Sequence, residues 1–172
     1  MHAGVNDYIQ KGNYARLMPV IERELTGAAV RQAVRKADSR IKELAFFDKL
    51  TNLPNHNYFC ARVTELIAEC AKLGKTDCGS LLYIDLDQFK QVNDSLGHGV
   101  GDELLVSVAA ALCEHVRLID MIARLGGDEF ICVMESVRSD EEVAMLAQEV
   151  IAAFDSPFRI AGHDLFLSAS VG

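Results

Sequence analysis

Cysteine pairs at short spacing are missing from the 172 residues: Cys60, Cys70, Cys78, Cys113 and Cys132 stand apart. That excludes a compact zinc site and a disulfide framework, and leaves reduced thiols in a cytosolic protein. Positive charge is in deficit, with 17 Lys and Arg against 25 Asp and Glu and a formal net charge of −8. Neither a nucleic-acid groove nor an anionic membrane surface is therefore an expected partner. A nucleotide stays open as ligand, because carboxylates meet phosphates through divalent metal. Long apolar runs and a signal peptide are also missing, so no membrane segment is expected in this chain. There is no internal repeat and no low-complexity stretch. What is present, 50% hydrophobic and 24% charged residues, suffices for one soluble core plus an appendage.

The sharpest stretch is Arg124-Leu125-Gly126-Gly127-Asp128-Glu129-Phe130. Two glycines free the backbone for a tight turn and remove side chains that would block a ligand. Apolar, strand-like segments flank it at Met121–Leu125 and Phe130–Met134, so the pattern predicts a hairpin with acid at its tip. An ordinary Gly-Gly turn with solvated Asp and Glu fits the heptad equally well. A second acidic cluster decides between them. Leu81-Leu82-Tyr83-Ile84-Asp85-Leu86-Asp87 reads as a buried strand turning acidic at its carboxyl end. Side chains alternate along a strand, so Asp85 and Asp87 share one side. Ligands of open α/β sheets sit at carboxyl ends of strands. Two such clusters can converge on one or two divalent cations and assist in-line displacement at phosphorus. No Ser or Cys nucleophile is needed, since positioning and electrostatics carry such chemistry.

Around these clusters the chain reads in order. Ala3–Gly12 suggests a turn, a short strand and a lysine, Lys11, at its end, with a helix beginning near Asn13. From about Tyr14 to Phe46 the composition is helical, with no proline after Pro19. Val30, Val34, Ala37, Ile41 and Leu44 follow the seam of a coiled coil, interrupted only by Gly27 upstream. The stripe predicts a linker helix that pairs with a second copy; packing on its own domain is the plainer alternative. Pro54 ends that helix by disfavouring helical geometry at Leu53. A helix from about His56 to Leu73 should turn Phe59, Val63, Leu66, Ile67 and Cys70 to one face. After the acidic strand, Phe89–Gly101 is polar and glycine-punctuated, and Asp102 is placed to cap the next helix, which carries Leu105, Val108, Leu112 and Val116. Arg117 and Asp120 close that helix. Beyond the hairpin, Asp140–Phe154 is amphipathic, with Val143, Leu146, Ala147, Val150 and Ile151 inward. Phe158–Ile160 and Leu165–Val171 read as a strand pair, and Gly172 falls inside a strand.

The heptad and the Asp85–Asp102 segment resemble the GGDEF family of diguanylate cyclases. Four blocks agree in order and spacing: Asp48–Asn55, Asp85–Asp94, Gly97–Leu105 and the hairpin. Residues 1–25 resemble the last strand and helix of a response-regulator receiver domain, which places the chain in two-component signalling. The implied division is 1–25 receiver remnant, 26–47 linker helix and 48–172 GGDEF domain, incomplete at its carboxyl end. There the family continues with a helix bearing basic residues that contact phosphates. The implied fold is α/β: an α+β sandwich with a mostly antiparallel, palm-like sheet of the nucleotide-cyclase type flanked by helices, preceded by the linker helix.

The resemblance implies a cytoplasmic homodimer that makes cyclic di-GMP from two GTP, by metal-assisted attack of a 3′-hydroxyl on an α-phosphate. Asp85, the backbone carbonyl of Leu86, Asp128 and Glu129 would hold Mg²⁺ or Mn²⁺, and Asp128 and Glu129 would assist deprotonation. Asn93 and Asp102 would read guanine, whose edge offers acceptors and donors. His98, Gly126 and Gly127 would complete the substrate contacts. Arg117 and Asp120 stand at the spacing of the family's inhibitory site for cyclic di-GMP, though such a pair at a helix end is by itself more often a surface ion pair. His56 replaces the family's usual Arg, so an ion pair of that Arg with Asp48 would be lost or made pH-dependent. Plainer roles stand beside these. Asp87 and Asp94 can bond neighbouring amides, His98 can be a structural donor, and Met18, Met121 and Met134 can fill core. The alternative function is a non-catalytic module that binds GTP or cyclic di-GMP; a third is a fragment whose helix only dimerises.

Overall fold

The computed structural model describes residues 17–75, 78–116, 120–135, 137 and 139–172. The chain divides into two compact units, Met1–Glu43 and Leu44–Gly172. In the first, the described residues form most of helix α1, Leu17–Phe46. Of the expected seam, Val30 and Ile41 are 57% and 64% exposed, Ala37 is also exposed, and the side chain of Val34 lies outside the described residues. The expected receiver strand and Lys11 lie outside them too.

The second unit opens on the loop between the end of α1 and helix α2, His56–Leu73. Phe47 and Pro54 bridge across it, and the Asp48 amide donates to the Leu53 carbonyl at 2.8 Å. Asn55 is the N-cap of α2. Its side-chain oxygen accepts from the Asn57 and Tyr58 amides at 2.9 and 3.1 Å, while its amide nitrogen donates to the Ala45 carbonyl at 3.0 Å. One side chain thus fastens the end of α1 to the start of α2. Asn55→Ala should cost about 1–2 kcal/mol, the range for a lost N-cap, measured as a shift in urea midpoint without a change in slope.

Four strands make the main sheet: β1 Ser80–Leu86, β2 Met121–Gly126, β3 Glu129–Met134 and β6 Ala169–Val171, in the order β2-β3-β1-β6. Every pairing is antiparallel. Leu82, Ile84 and Leu86 alternate into a core shared with Phe130, Cys132 and Met134 of β3. Over that face lie α4 His98–His115 and α5 Asp140–Ala152, contributing Leu104, Leu105, Val108, Leu112, Leu146 and Val150. On the other face Ala123, Ile131 and Val133 are also buried, and α2 packs on β2. Arg62 of α2 clamps the end of β3 by a paired fork to Glu135, Nε–Oε1 2.7 Å and Nη2–Oε2 2.6 Å. Below the tip the other face of β1 is open: Tyr83 is exposed, and Asp85 and Asp87 are half-buried.

Several expectations are corrected. Phe89–Leu96 is a helix, α3, and α4 already starts at His98, so Gly97 is its cap and Asp102 lies inside it. Gly99 and Gly101 each cost a helix about 1 kcal/mol relative to Ala. Burying each of Leu104, Val108 and Leu112 returns about 1.5–3 kcal/mol, which outweighs the glycines. Leu165–Val171 is not one strand: β4 Phe158–Ile160 pairs with β5 His163–Leu165 as a separate hairpin, and only Ala169–Val171 joins the main sheet. Gly172 continues that edge, exchanging backbone bonds with Tyr83 at 2.8 and 3.0 Å. Ile67 and Ile151, expected inward, are 58% and 48% exposed.

Candidate functional site

The β2–β3 hairpin turns through Gly127 and Asp128, with Gly126 paired to Glu129 and a bulge at Leu125. Gly126 and Gly127 hold φ of 150° and 54°, which disfavour any side chain. A Cβ on either would meet nothing within 4 Å. The glycines are therefore required by backbone conformation, and they leave the tip's backbone open to a ligand.

Antiparallel pairing of β1 with β3 sets Asp85 directly opposite Glu129, and the Leu86 amide donates to the Asp128 carbonyl at 3.4 Å. The two acidic clusters thus meet at one end of the sheet. Burial, then the charges of Asp128, Glu129 and Asp87, push the Asp85 carboxyl above its ordinary range. Tyr83, two residues earlier on the same face, bonds to Glu129; that bond, with burial and the nearby carboxylates, pushes its hydroxyl up to about 12. Asp87 does not bond neighbouring amides as expected. It accepts the hydroxyls of Ser168 at 2.6 Å and Ser170 at 2.8 Å, which hold its carboxyl below the usual range and tie β6 to the end of β1. Tyr83, Ser168 and Ser170 carry no motif of their own; only the alternation that puts Tyr83 beside Asp85 was available to find the first of them.

Among the described residues no three carboxylate, His or Cys side chains converge into a cage for a metal ion. The residues fit a hard cation in another way. Mutually repelling carboxylates beside an open glycine turn supply a few oxygen ligands, and a nucleotide's phosphates supply the remainder.

α3 begins two residues after the last carboxylate of this strand end, so Asn93 arises at the same end of β1. Asn93 is half-buried on α3, and its side chain lies against Gly101 of α4, next to Asp102. His98 and Asp102 are exposed on the first turns of α4. Asp94 is exposed as well. Arg117 lies outside the described residues. Asp120, half-buried, borders a cleft of about 460 Å³ with Tyr58, Arg62, Cys113 and Met121.

The expected pairing of Asp48 is also settled by geometry. The His56 ring lies 3.7–3.8 Å from Cys60 Sγ. Asp48 is instead paired with Arg124 of the hairpin, Nη1–Oδ1 2.8 Å. The same guanidinium donates through Nε and Nη2 to the Gly127 carbonyl at 3.1 and 2.7 Å. Arg124 therefore holds the entry loop and the hairpin tip together.

Comparison with known proteins identifies the family of the second unit. The family model for the diguanylate cyclase GGDEF domain matches residues 45–172. The bifunctional diguanylate cyclase/cyclic di-GMP phosphodiesterase MucR of Pseudomonas aeruginosa is 37% identical over 140 residues, covering 81% of this chain and 20% of MucR. The response regulator PleD of Caulobacter vibrioides is 32% identical over 179 residues, covering 99% of this chain and 37% of PleD. The chain thus spans between a fifth and two fifths of these relatives' lengths. The coiled coil and GGDEF domain of DgcB from Caulobacter crescentus, solved with cyclic di-GMP, superposes with a TM-score of 0.78 at 25% identity, covering 89% of this chain and 81% of the solved DgcB chain. With the match spanning the whole of the second compact unit, the chain belongs to the GGDEF-domain family of diguanylate cyclases.

Proposed function

We propose that this chain is the cyclase portion of a protein that joins two GTP into cyclic di-GMP with release of two pyrophosphates, as a homodimer in which each protomer presents one GTP. The observation that carries it is Asp85 standing opposite Glu129 and within the field of Asp128, beside an open glycine turn. Asp85, Asp128, Glu129 and the Leu86 carbonyl would hold Mg²⁺ or Mn²⁺. When bound, that cation neutralises phosphate charge and makes the attacking hydroxyl more acidic. The chain's own groups do the remaining work. Gly126 and Gly127 admit the phosphates to the backbone. Asp128 and Glu129 assist deprotonation of the 3′-hydroxyl, with Glu129 oriented by the Tyr83 hydroxyl. Asn93 and Asp102 read guanine, and His98 adds a substrate contact.

An upstream receiver domain at the amino end, with α1 as a dimerising linker, would control assembly of the two protomers; the alignment with the response regulator PleD across the chain supports that reading. No described helix is long and apolar enough to cross a membrane, in keeping with a cytoplasmic site of action. The test is calorimetry with GTP and ATP in Mg²⁺. GTP should bind at least about tenfold more tightly, because ATP would leave the base-reading groups unpaired beneath the bound base, at about 1–3 kcal/mol for each one covered by it. Equal binding would remove Asn93 and Asp102 as readers, and GTP binding without any product from the protein would leave a nucleotide-binding signalling module.

Arg117 and Asp120 are proposed to bind the product and restrain the enzyme. Arg117→Ala should weaken cyclic di-GMP binding and relieve stalling in progress curves, with early turnover nearly unchanged. A variant that stalls at the same product concentration as the parent would place inhibition elsewhere.

A further inference from the structure

Gly101 stands in the first turns of α4, a buried position in a helix whose interior otherwise favours larger apolar residues. Glycine weakens a helix there, and its φ is not of the kind that demands glycine. Packing explains it. A Cβ at Gly101 would overlap Asn93 Oδ1, and would lie 3.0 Å from Asn93 Cγ and 3.3 Å from Phe89 Cζ. A Cβ on Gly99, two residues earlier, would meet nothing within 4 Å. The space left by the absent Gly101 side chain is thus occupied by one particular amide, that of Asn93. Phe89, buried at the start of α3 one turn before Asn93, lines the same space.

We propose that Gly101 is a specificity-determining positioning residue: its missing side chain is the slot that aims the Asn93 amide at the guanine base. The proposal rests on the reading of Asn93 as a guanine contact. Asn93 has a short side chain with two torsions, so a methyl group in the slot cannot be avoided by a small adjustment. The amide must take another rotamer and point away from where Asp102 of the next position presents its carboxylate. Discrimination for guanine would then fall although every base-reading residue is still present.

The experiment measures GTP, inosine triphosphate and ATP binding in Mg²⁺ by calorimetry on the 172-residue chain, for the parent, Gly101→Ala, Asn93→Ala and the double variant. Thermal melting of each is recorded alongside. Asn93→Ala should weaken GTP about tenfold, the loss of about one hydrogen-bonded contact. Gly101→Ala should weaken it to a similar extent while melting cooperatively, and its preference for GTP over ATP should shrink in parallel. In the double variant the methyl group has the room that the amide vacated. It should bind GTP no worse than Asn93→Ala alone, and melt at or above the temperature of that single variant. Two effects on one amide cannot add.

If Gly101→Ala binds GTP like the parent while Asn93→Ala loses it, the slot does not aim the amide and the inference falls with the guanine reading intact. Losses that add in the double variant would also overturn it, because Gly101 would then act through helix packing alone. If the parent does not bind GTP, or Asn93→Ala binds it unchanged, the guanine reading itself fails and takes the inference with it.

Discussion

Replacing Asp85 by Asn should lower cyclic di-GMP formation by about a thousandfold in the complete protein while making the nucleotide-free fold more stable. The first half follows from the role proposed for the carboxylate. A metal that neutralises developing phosphate charge contributes several kcal/mol to the transition state, and about 4 kcal/mol is three powers of ten in rate. The second half follows from the structure without its ligands. Asp85 sits opposite Glu129 and within the field of Asp128 and Asp87, and those charges with burial push its carboxyl upward. A neutral amide of the same shape removes that repulsion. Melting without divalent metal should therefore rise in Asp85→Asn, and the stabilisation the parent gains from millimolar Mg²⁺ with GTP should be lost. A variant that melts lower than the parent, yet still gains from Mg²⁺ and GTP, would mean that Asp85 supports the strand and does not hold the ion.

Arg124→Ala should cost about 2–3 kcal/mol of stability, the largest loss expected from any residue of the heptad apart from core Phe130. Its side chain is 10% exposed and that of Asp48 24%, and three of its donors are engaged. Charge-assisted bonds of this kind are worth about 1.5–3 kcal/mol. Removing one member of a fully buried pair costs about 3–5 kcal/mol, which partial exposure reduces. Arg124→Lys should recover little of the loss, since a point charge cannot serve Asp48 and the Gly127 carbonyl together. Urea unfolding of the three proteins decides this, and a loss under 1 kcal/mol for Ala would reduce the contact to a surface pair.

The same contact carries a pH signature. Burial opposes the Asp48 charge, but the Thr51 amide, Arg124 and the Thr51 hydroxyl outweigh it and hold the carboxyl below its ordinary value of 3.8. A depressed carboxyl stabilises the fold fully above its unfolded value and loses that contribution as pH falls through the folded one. The stability gap between the parent and Asp48→Asn should accordingly be widest at neutral pH and close below about pH 4. A gap that persists at acid pH would assign the effect to hydrogen bonding of the loop and not to charge.

The chemistry of the site was legible one cluster at a time. Gly126 and Gly127 announce a turn, Asp128 and Glu129 its acids, and the apolar run ending in Asp85 a strand that turns polar at its carboxyl end. Those features are local, because a backbone that needs positive φ and a strand that alternates both write themselves into adjacent residues. The helix over Phe89–Leu96 and the early start of α4 were not legible, since glycines and polar residues outvote apolar ones until Leu104, Val108 and Leu112 find a sheet to cover. The division of Leu165–Val171 was hidden for a related reason: three-residue strands are too short to carry a period, and which sheet each joins depends on partners far away.

By itself, then, the order of residues determined the two acidic ends, the hairpin between Met121 and Met134, and the amphipathic helices, all of which arise from neighbours in the chain. Only the tertiary structure decided that Asp85 faces Glu129, that Asp48 is answered by Arg124 across 76 positions, that Asp87 takes its hydroxyls from Ser168 and Ser170, and that Asn93 rests in the space at Gly101. Each of these depends on strand register or helix approach. Both are set by burying one face of β1 and β3 beneath α4 and α5, a balance summed over the whole core that no single segment contains.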